Sequence, residues 1–172
     1  MTTLPSQPEL EALAAQLGEQ LKARGETLAT AESCTGGWIS MTLTAIAGSS
    51  AWFDRGFVTY SNAAKESHLA VPAATLIEHG AVSQATATAM AQGAQHAAGT
   101  DWALATTGIA GPDGGSPDKP VGTVWFAWAG PDGLLHSDRQ CFSGNRQAVR
   151  LQAVAHALGT LSKLLKRSTA SA

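Results

Sequence analysis

Charge is scarce in this chain. Asp, Glu, Lys and Arg make up 14% of its 172 residues, and 11 basic against 13 acidic side chains leave a formal net charge of -2. Nucleic-acid binding draws on clustered Lys and Arg, so a near-neutral chain argues against DNA or RNA as a partner. No apolar run approaches the ~20 residues of a membrane span. Residues 1–10 hold neither a basic patch nor an apolar stretch, so a secretory signal is not expected. The two cysteines, Cys34 and Cys141, are too few for a disulfide framework or a zinc cage. His68, His79, His96, His136 and His156 show no metal-ligand spacing, and neither a Walker A loop nor a dinucleotide fingerprint is present. What remains is a reduced, cytoplasmic protein with no membrane and no nucleic acid among its expected partners.

Hydrophobic residues reach 44%, which suits a globular chain of one domain over residues 1–172. Ser6 and Glu9 form a capping-box pattern ahead of Leu10, Leu13, Leu17 and Leu21 at helical spacing, and Gly25 marks the end. Residues 27–31 read as a buried strand, and Gly36-Gly37 leads into a helix over 38–46. Residues 56–60 give a second strand, after which Ser61 or Asn62 caps a short helix. A helix over 72–79, an Ala/Gln-rich helix from Ser83 to Ala98 and a strand over 102–106 follow. A Gly/Pro-rich loop over 108–120 precedes two strand segments, 121–128 and 134–142, joined by the turn residues Gly130-Pro131-Asp132-Gly133. Leu151, Val154, Leu158, Leu161 and Leu165 mark a long last helix, with the tail fraying from Arg167. Alternating helices and strands with one late hairpin predict an α/β protein, a three-layer α/β/α sandwich whose mixed sheet contains an antiparallel hairpin.

Four segments could carry chemistry. Glu32-Ser33-Cys34-Thr35-Gly36-Gly37 lies where a strand turns into a helix. Such a turn can present a nucleophile above the sheet edge and aim backbone N–H groups at an oxyanion. It equally suits a plain cap by Ser33, and Cys34 is a second nucleophile candidate. Tyr60-Ser61-Asn62-Ala63-Ala64-Lys65 offers a base. With Asn62 as cap, Lys65 falls in the first turn, where the helix dipole disfavours the ammonium form, and Tyr60 could relay a proton. An exposed surface lysine fits the same segment. The run from Thr106 and Thr107 through Gly108, Gly111, Gly114 and Gly115 could bring amides close to an anion, or be a structural loop. Arg146 opens the last helix, with Arg150 one turn later. A cation at a helix start is unfavourable unless an anion such as phosphate meets it there.

Taken together and in order, these segments resemble the CinA C-terminal domain family. The likeness rests on Ala31-Glu32-Ser33-Cys34-Thr35-Gly36-Gly37, on Gly56-Phe57-Val58-Thr59-Tyr60-Ser61-Asn62 with Lys65, on Thr107-Gly108-Ile109-Ala110-Gly111-Pro112-Asp113-Gly114-Gly115, and on Lys119-Pro120-Val121-Gly122-Thr123-Val124. It spans residues 10–165. The resemblance implies deamidation of nicotinamide mononucleotide to nicotinate mononucleotide and ammonia by a Ser, Tyr and Lys group, which maps here to Ser33, Tyr60 and Lys65. On that reading Thr35, Gly36, Gly37, Thr107 and Gly108 surround the reacting carbonyl, while Gly111, Gly114, Gly115 and Arg146 take the phosphate. No metal or organic cofactor is expected, and the protein acts on a small molecule as a homo-oligomer. Ala64 and Asn145 stand where the family leads one to expect acidic residues. A non-catalytic nucleotide-binding module linked to competence or DNA damage, or an amidase for another small amide, are the alternatives.

Overall fold

The computed structural model of the chain describes residues 3–169. Helix α1 (Gln7–Arg24) precedes strand β1 (Leu28–Glu32), α2 (Trp38–Thr44) and β2 (Phe53–Val58). Helices α3 (Asn62–Leu69), α4 (Ala73–His79) and α5 (Gln84–Ala98) come next, then β3 (Trp102–Gly108), β4 (Thr123–Ala129), β5 (Leu135–Cys141) and α6 (Arg146–Thr169). The five strands form one mixed sheet in the order β2-β1-β3-β4-β5, with β1 parallel to β2 and β3, and β4 antiparallel to β3 and β5.

Alternation along the strands builds two unlike faces. Leu28, Trp102, Leu104, Val124, Phe126 and Trp128 point to one side, where they bury against Leu10, Leu17 and Leu21 of α1 and Val154, Leu158 and Leu161 of α6. Ala31, Ala103, Ala105, Ala127 and Ala129 point to the other and meet Ala87, Met90, Ala91 and Ala94 of α5. Each large apolar side chain buried this way contributes about 1.5–3 kcal/mol. The small-residue face lets α5 and its neighbours sit close. A Cβ on Gly93 would lie 1.9 Å from the Leu69 carbonyl oxygen, so only glycine lets α5 pass the end of α3.

The expected elements are present with shifted ends. Strand β2 runs over 53–58 rather than 56–60. Its partner β1 ends at Glu32 opposite Val58, so Thr59 keeps one bond to the Glu32 carbonyl (2.9 Å) and Tyr60 leaves the ladder. Helix α6 continues through Arg167 to Thr169, past the point where fraying was expected; residues 170–172 lie outside the described residues. No described helix is long and apolar enough to cross a membrane.

Candidate active site

The parallel strands β1 and β3 and the segment after β2 end at the same edge of the sheet, and a cavity of about 260 Å³ opens there. Among the residues singled out from the sequence, Ser33, Tyr60, Lys65, Thr107, Gly108 and Arg146 line it. Cys34, Ala81, Val82 and Ala110 complete the wall. Thr35, Gly36, Gly37, Gly111, Gly114 and Gly115 do not line it. The lining holds the basic side chains of Lys65 and Arg146 and no carboxylate.

Ser33 follows the last residue of β1, and its N–H donates to the Thr106 carbonyl of β3 (3.0 Å). Beyond it, Gly36 (φ +59°) and Gly37 (φ +97°) take left-handed backbone that swings the chain into α2. Lys65 is 1% exposed. Its Nζ lies 3.0 Å from Ser33 Oγ, 2.7 Å from the Thr59 carbonyl oxygen and 3.4 Å from the Tyr60 carbonyl oxygen. A neutral amine has two N–H donors and one lone pair. With the two carbonyls taking the donors, the lone pair is left for the Ser33 hydroxyl proton. In the ammonium form the third N–H turns to Ser33 Oγ instead, so both protonation states are satisfied in place.

Burial holds the Lys65 pKa below its ordinary 10.5, outweighing the adjacent Cys34, which acts in the opposite sense. The helix dipole, expected to help, is not the cause. Ser61 is the cap of α3, its Oγ accepting from Ala64 N–H at 3.1 Å. Lys65 is therefore the fourth helical residue, its N–H already bonded to the Ser61 carbonyl, and the dipole's influence fades beyond the first turn. Carbonyl oxygens around Nζ favour the ammonium, which leaves desolvation as the force that lowers the pKa. Burial pushes the Cys34 thiol up to about 12, so at neutral pH this cysteine presents no thiolate.

Tyr60 is 64% exposed and reaches Lys65 through its main chain. Its phenol oxygen accepts from Arg146 Nη2 at 3.1 Å, and Arg146 Nη1 donates to the Gly111 carbonyl at 2.8 Å. No carboxylate pairs with Arg146 among the described residues. Asn145 caps α6 through Oδ1, which accepts from Ala148 N–H at 3.0 Å; it does the capping work of an aspartate without placing a negative charge beside Arg146. Arg150 turns away from the cavity. Its Nε donates to the Cys34 carbonyl (3.0 Å), its Nη2 to the Thr35 carbonyl (3.1 Å), and its guanidinium covers the Trp38 ring.

Gly108 sits two residues beyond Thr106, whose carbonyl faces β1. By strand alternation the Gly108 N–H faces the same way, past the end of β1. Thr107 Oγ1 donates to the Ala81 carbonyl (2.8 Å), tying β3 to the segment between α4 and α5 that carries Ala81 and Val82. The loop glycines serve packing: a Cβ on Gly115 would lie 2.8 Å from Val121 N.

The sequence reading gave no role to Glu32 or Thr59. A lone carboxylate in the otherwise uncharged strand Leu-Ala-Thr-Ala-Glu was the available signal for Glu32. Thr59 Oγ1 is buried with no hydrogen-bond partner among the described residues. A buried unpaired hydroxyl is destabilising, so Thr59→Val is expected to raise unfolding stability by ~1 kcal/mol, with the main-chain bond to Lys65 kept. Chemical denaturation checks this; a loss of stability would show that the hydroxyl is satisfied in solution.

The model of the CinA C-terminal domain matches residues 10–165. The chain belongs to this family. The relatives it matches are covered over nearly their full length. The chain is 57% identical over 161 residues to the nicotinamide-nucleotide amidohydrolase PncC of Escherichia coli K12, covering 94% of this chain and 98% of that protein. It is 53% identical over 152 residues to the Pseudomonas putida protein of the same name, covering 88% and 94%. The crystal structure of the competence/damage inducible protein CihA from Agrobacterium tumefaciens superposes with a TM-score of 0.89 at 44% identity, covering 96% of this chain and 99% of that one.

Proposed function

We propose that this protein hydrolyses the carboxamide of nicotinamide mononucleotide, releasing nicotinate mononucleotide and ammonia through an acyl-enzyme on Ser33. The observation that carries the mechanism is the contact of 3.0 Å between the buried Lys65 Nζ and Ser33 Oγ. The names of the E. coli and P. putida relatives supply the substrate.

In this scheme neutral Lys65 takes the Ser33 hydroxyl proton as Oγ bonds to the carboxamide carbon. The carbonyl oxygen gains the charge and meets the Gly108 N–H and the amides of the 34–37 turn. Within that turn the Gly36 N–H is already bonded to the Ser33 carbonyl, which leaves Cys34, Thr35 and Gly37 as its donors, with Cys34 lining the cavity. Lys65 returns the proton to the nitrogen, the C–N bond breaks and ammonia leaves. Water then adds to the ester, gives its proton to Lys65, and the acid departs as Ser33 Oγ is reprotonated. Tyr60 acts at the rim with Arg146 rather than as a relay, since Lys65 touches Ser33 directly. Ala81, Val82 and Ala110 face the pyridine ring.

The Arg146 guanidinium, in a cavity lined by no carboxylate, favours an anionic substrate. Two of the Arg146 donors go to Gly111 and Tyr60, and the rest are available to a phosphate; Gly111 contributes by fixing the guanidinium. Arg146→Gln is expected to raise KM for the mononucleotide ~10–100-fold with kcat within ~3-fold. Its rate on free nicotinamide, which carries no phosphate, is expected to match that of the wild type. An equal loss on both substrates would remove Arg146 from phosphate binding. The reading as a whole is tested by incubating purified protein with nicotinamide mononucleotide, nicotinamide and glutamine and measuring ammonia. Stoichiometric binding of the nucleotide with no ammonia from any of the three would make the protein a binding module.

A further inference from the structure

Glu32 is the last residue of β1, directly before Ser33, and it is fully buried. A carboxylate in that position calls for a cation, yet no ion pair to Glu32 occurs among the described residues. Four donors surround it instead. Oε1 accepts from Thr35 Oγ1 (2.7 Å) and Ile39 N–H (2.8 Å); Oε2 accepts from Ser40 N–H (3.0 Å) and Ser40 Oγ (2.8 Å). Ile39 and Ser40 are the second and third residues of α2, whose N–H groups have no partner within the helix. The strand end thus reaches across residues 33–38 and grips the helix start, closing the nucleophile-bearing turn into a ring.

The same residue also touches the other half of the pair. The Glu32 carbonyl accepts from Thr59 N–H at 2.9 Å, and the Thr59 carbonyl accepts from Lys65 Nζ at 2.7 Å. We propose that Glu32 is a positioning residue for the reaction described above: its carboxylate fixes the 33–38 turn so that Ser33 Oγ stays within reach of Lys65 and the turn's amides keep their aim. The proposal rests on Ser33 acting as the nucleophile. A salt bridge would hold one point, whereas four short charge-assisted bonds to three residues fix position and rotation together. Errors of about 1 Å in such a turn lower turnover by ~100-fold.

The test uses the full chain, a fluorophosphonate that labels activated serines, and steady-state deamidation of nicotinamide mononucleotide. In Glu32→Gln one acceptor becomes an amide NH₂ that faces the main-chain N–H of Ile39 or Ser40, so the grip is lost while shape is kept. Labelling of Ser33 and kcat are expected to fall together by ~100-fold. KM should stay within ~2-fold and the pH midpoint of kcat should be unchanged, because Arg146 and Lys65 are untouched. A residue that only stabilises the fold would lower the fraction of protein that labels and leave the labelling rate constant and kcat per labelled serine at their wild-type values. Ser40→Ala removes one bond to the same carboxylate and is expected to slow labelling ~5-fold; it decides the matter if Glu32→Gln does not fold. Labelling within ~2-fold of wild type in Glu32→Gln, or within ~1.5-fold in Ser40→Ala where Glu32→Gln is unfolded, overturns the role of Glu32 alone. An unlabelled wild-type protein, or equal labelling of Ser33→Ala, removes instead the reading of Ser33 on which the proposal rests.

Discussion

Ser33→Ala is expected to lower the rate of ammonia release from nicotinamide mononucleotide by at least ~10⁴-fold, a barrier increase of about 5.5 kcal/mol. The size follows from covalent catalysis: without Oγ no acyl-enzyme forms, and what remains is a bound substrate facing water. Ser33 Oγ contacts Lys65 Nζ, and the Ser33 N–H bond to Thr106 is main-chain, so the variant should keep its fold. Nucleotide affinity by calorimetry should stay within ~3-fold, since the loss lies in the transition state rather than the ground state. A variant that kept a tenth of the wild-type rate would end the covalent scheme.

Lys65 gives the second large effect, and two substitutions separate its charge from its proton chemistry. Lys65→Met fills similar space with no base; Lys65→Arg keeps a cation that cannot deprotonate. Both are expected to lose ~10⁴-fold or more in kcat, because the nucleophile then lacks a proton acceptor. An active Lys65→Arg protein would mean that only positive charge is needed. The wild-type pH profile follows from the burial that lowers the Lys65 pKa. The neutral amine is the working form, so kcat/KM rises with pH through the folded pKa and levels off above it, with a midpoint below 10.5. The same shift has a stability sign. The unfolded chain binds the proton more tightly, so stability rises with pH between the folded pKa and 10.5, and falls as pH drops toward the folded pKa. Lys65→Met should flatten that part of the stability curve. A wild-type activity profile with no rise below 10.5 would contradict Lys65 as the base.

Ser33→Ala combined with Lys65→Met should be no slower than either alone, since both act in one step.

Much of the layout was legible along the chain. The Ser6–Glu9 pattern, the heptad-like leucines of α1 and α6, the Ser83 cap and the hairpin turn after Ala129 are local devices, and local chemistry decided them. Strand β2 shifted because its limit comes from a partner: it stops at Val58, since β1 has no residue left to pair. Of the two caps the sequence offered for α3, Ser61 takes the role, its Oγ accepting from Ala64 N–H. The site was legible as segments rather than as geometry. Ser33 and Lys65 are 32 positions apart, and nothing in either segment measures the 3.0 Å between them. Arg146 and Arg150 look alike in sequence, yet one faces the cavity and the other grips the turn. Thr35 and the glycines at 36, 37, 111, 114 and 115, expected around the ligand, do not line the cavity, and left-handed backbone at Gly36 and Gly37 shapes the turn.

The sequence by itself determined the class of the fold, the order of its elements and the family, because spacing, caps and turn residues are read over a few positions. It also determined which residue types were available for amide chemistry. Only the tertiary structure decided why Lys65 can be neutral. The helix start was the local argument, and it failed by one residue; desolvation lowers the pKa, and desolvation depends on β1, β3, α3 and the 59–60 carbonyls closing around one amine. Burial is a property of packed surfaces, and no short stretch of sequence contains it.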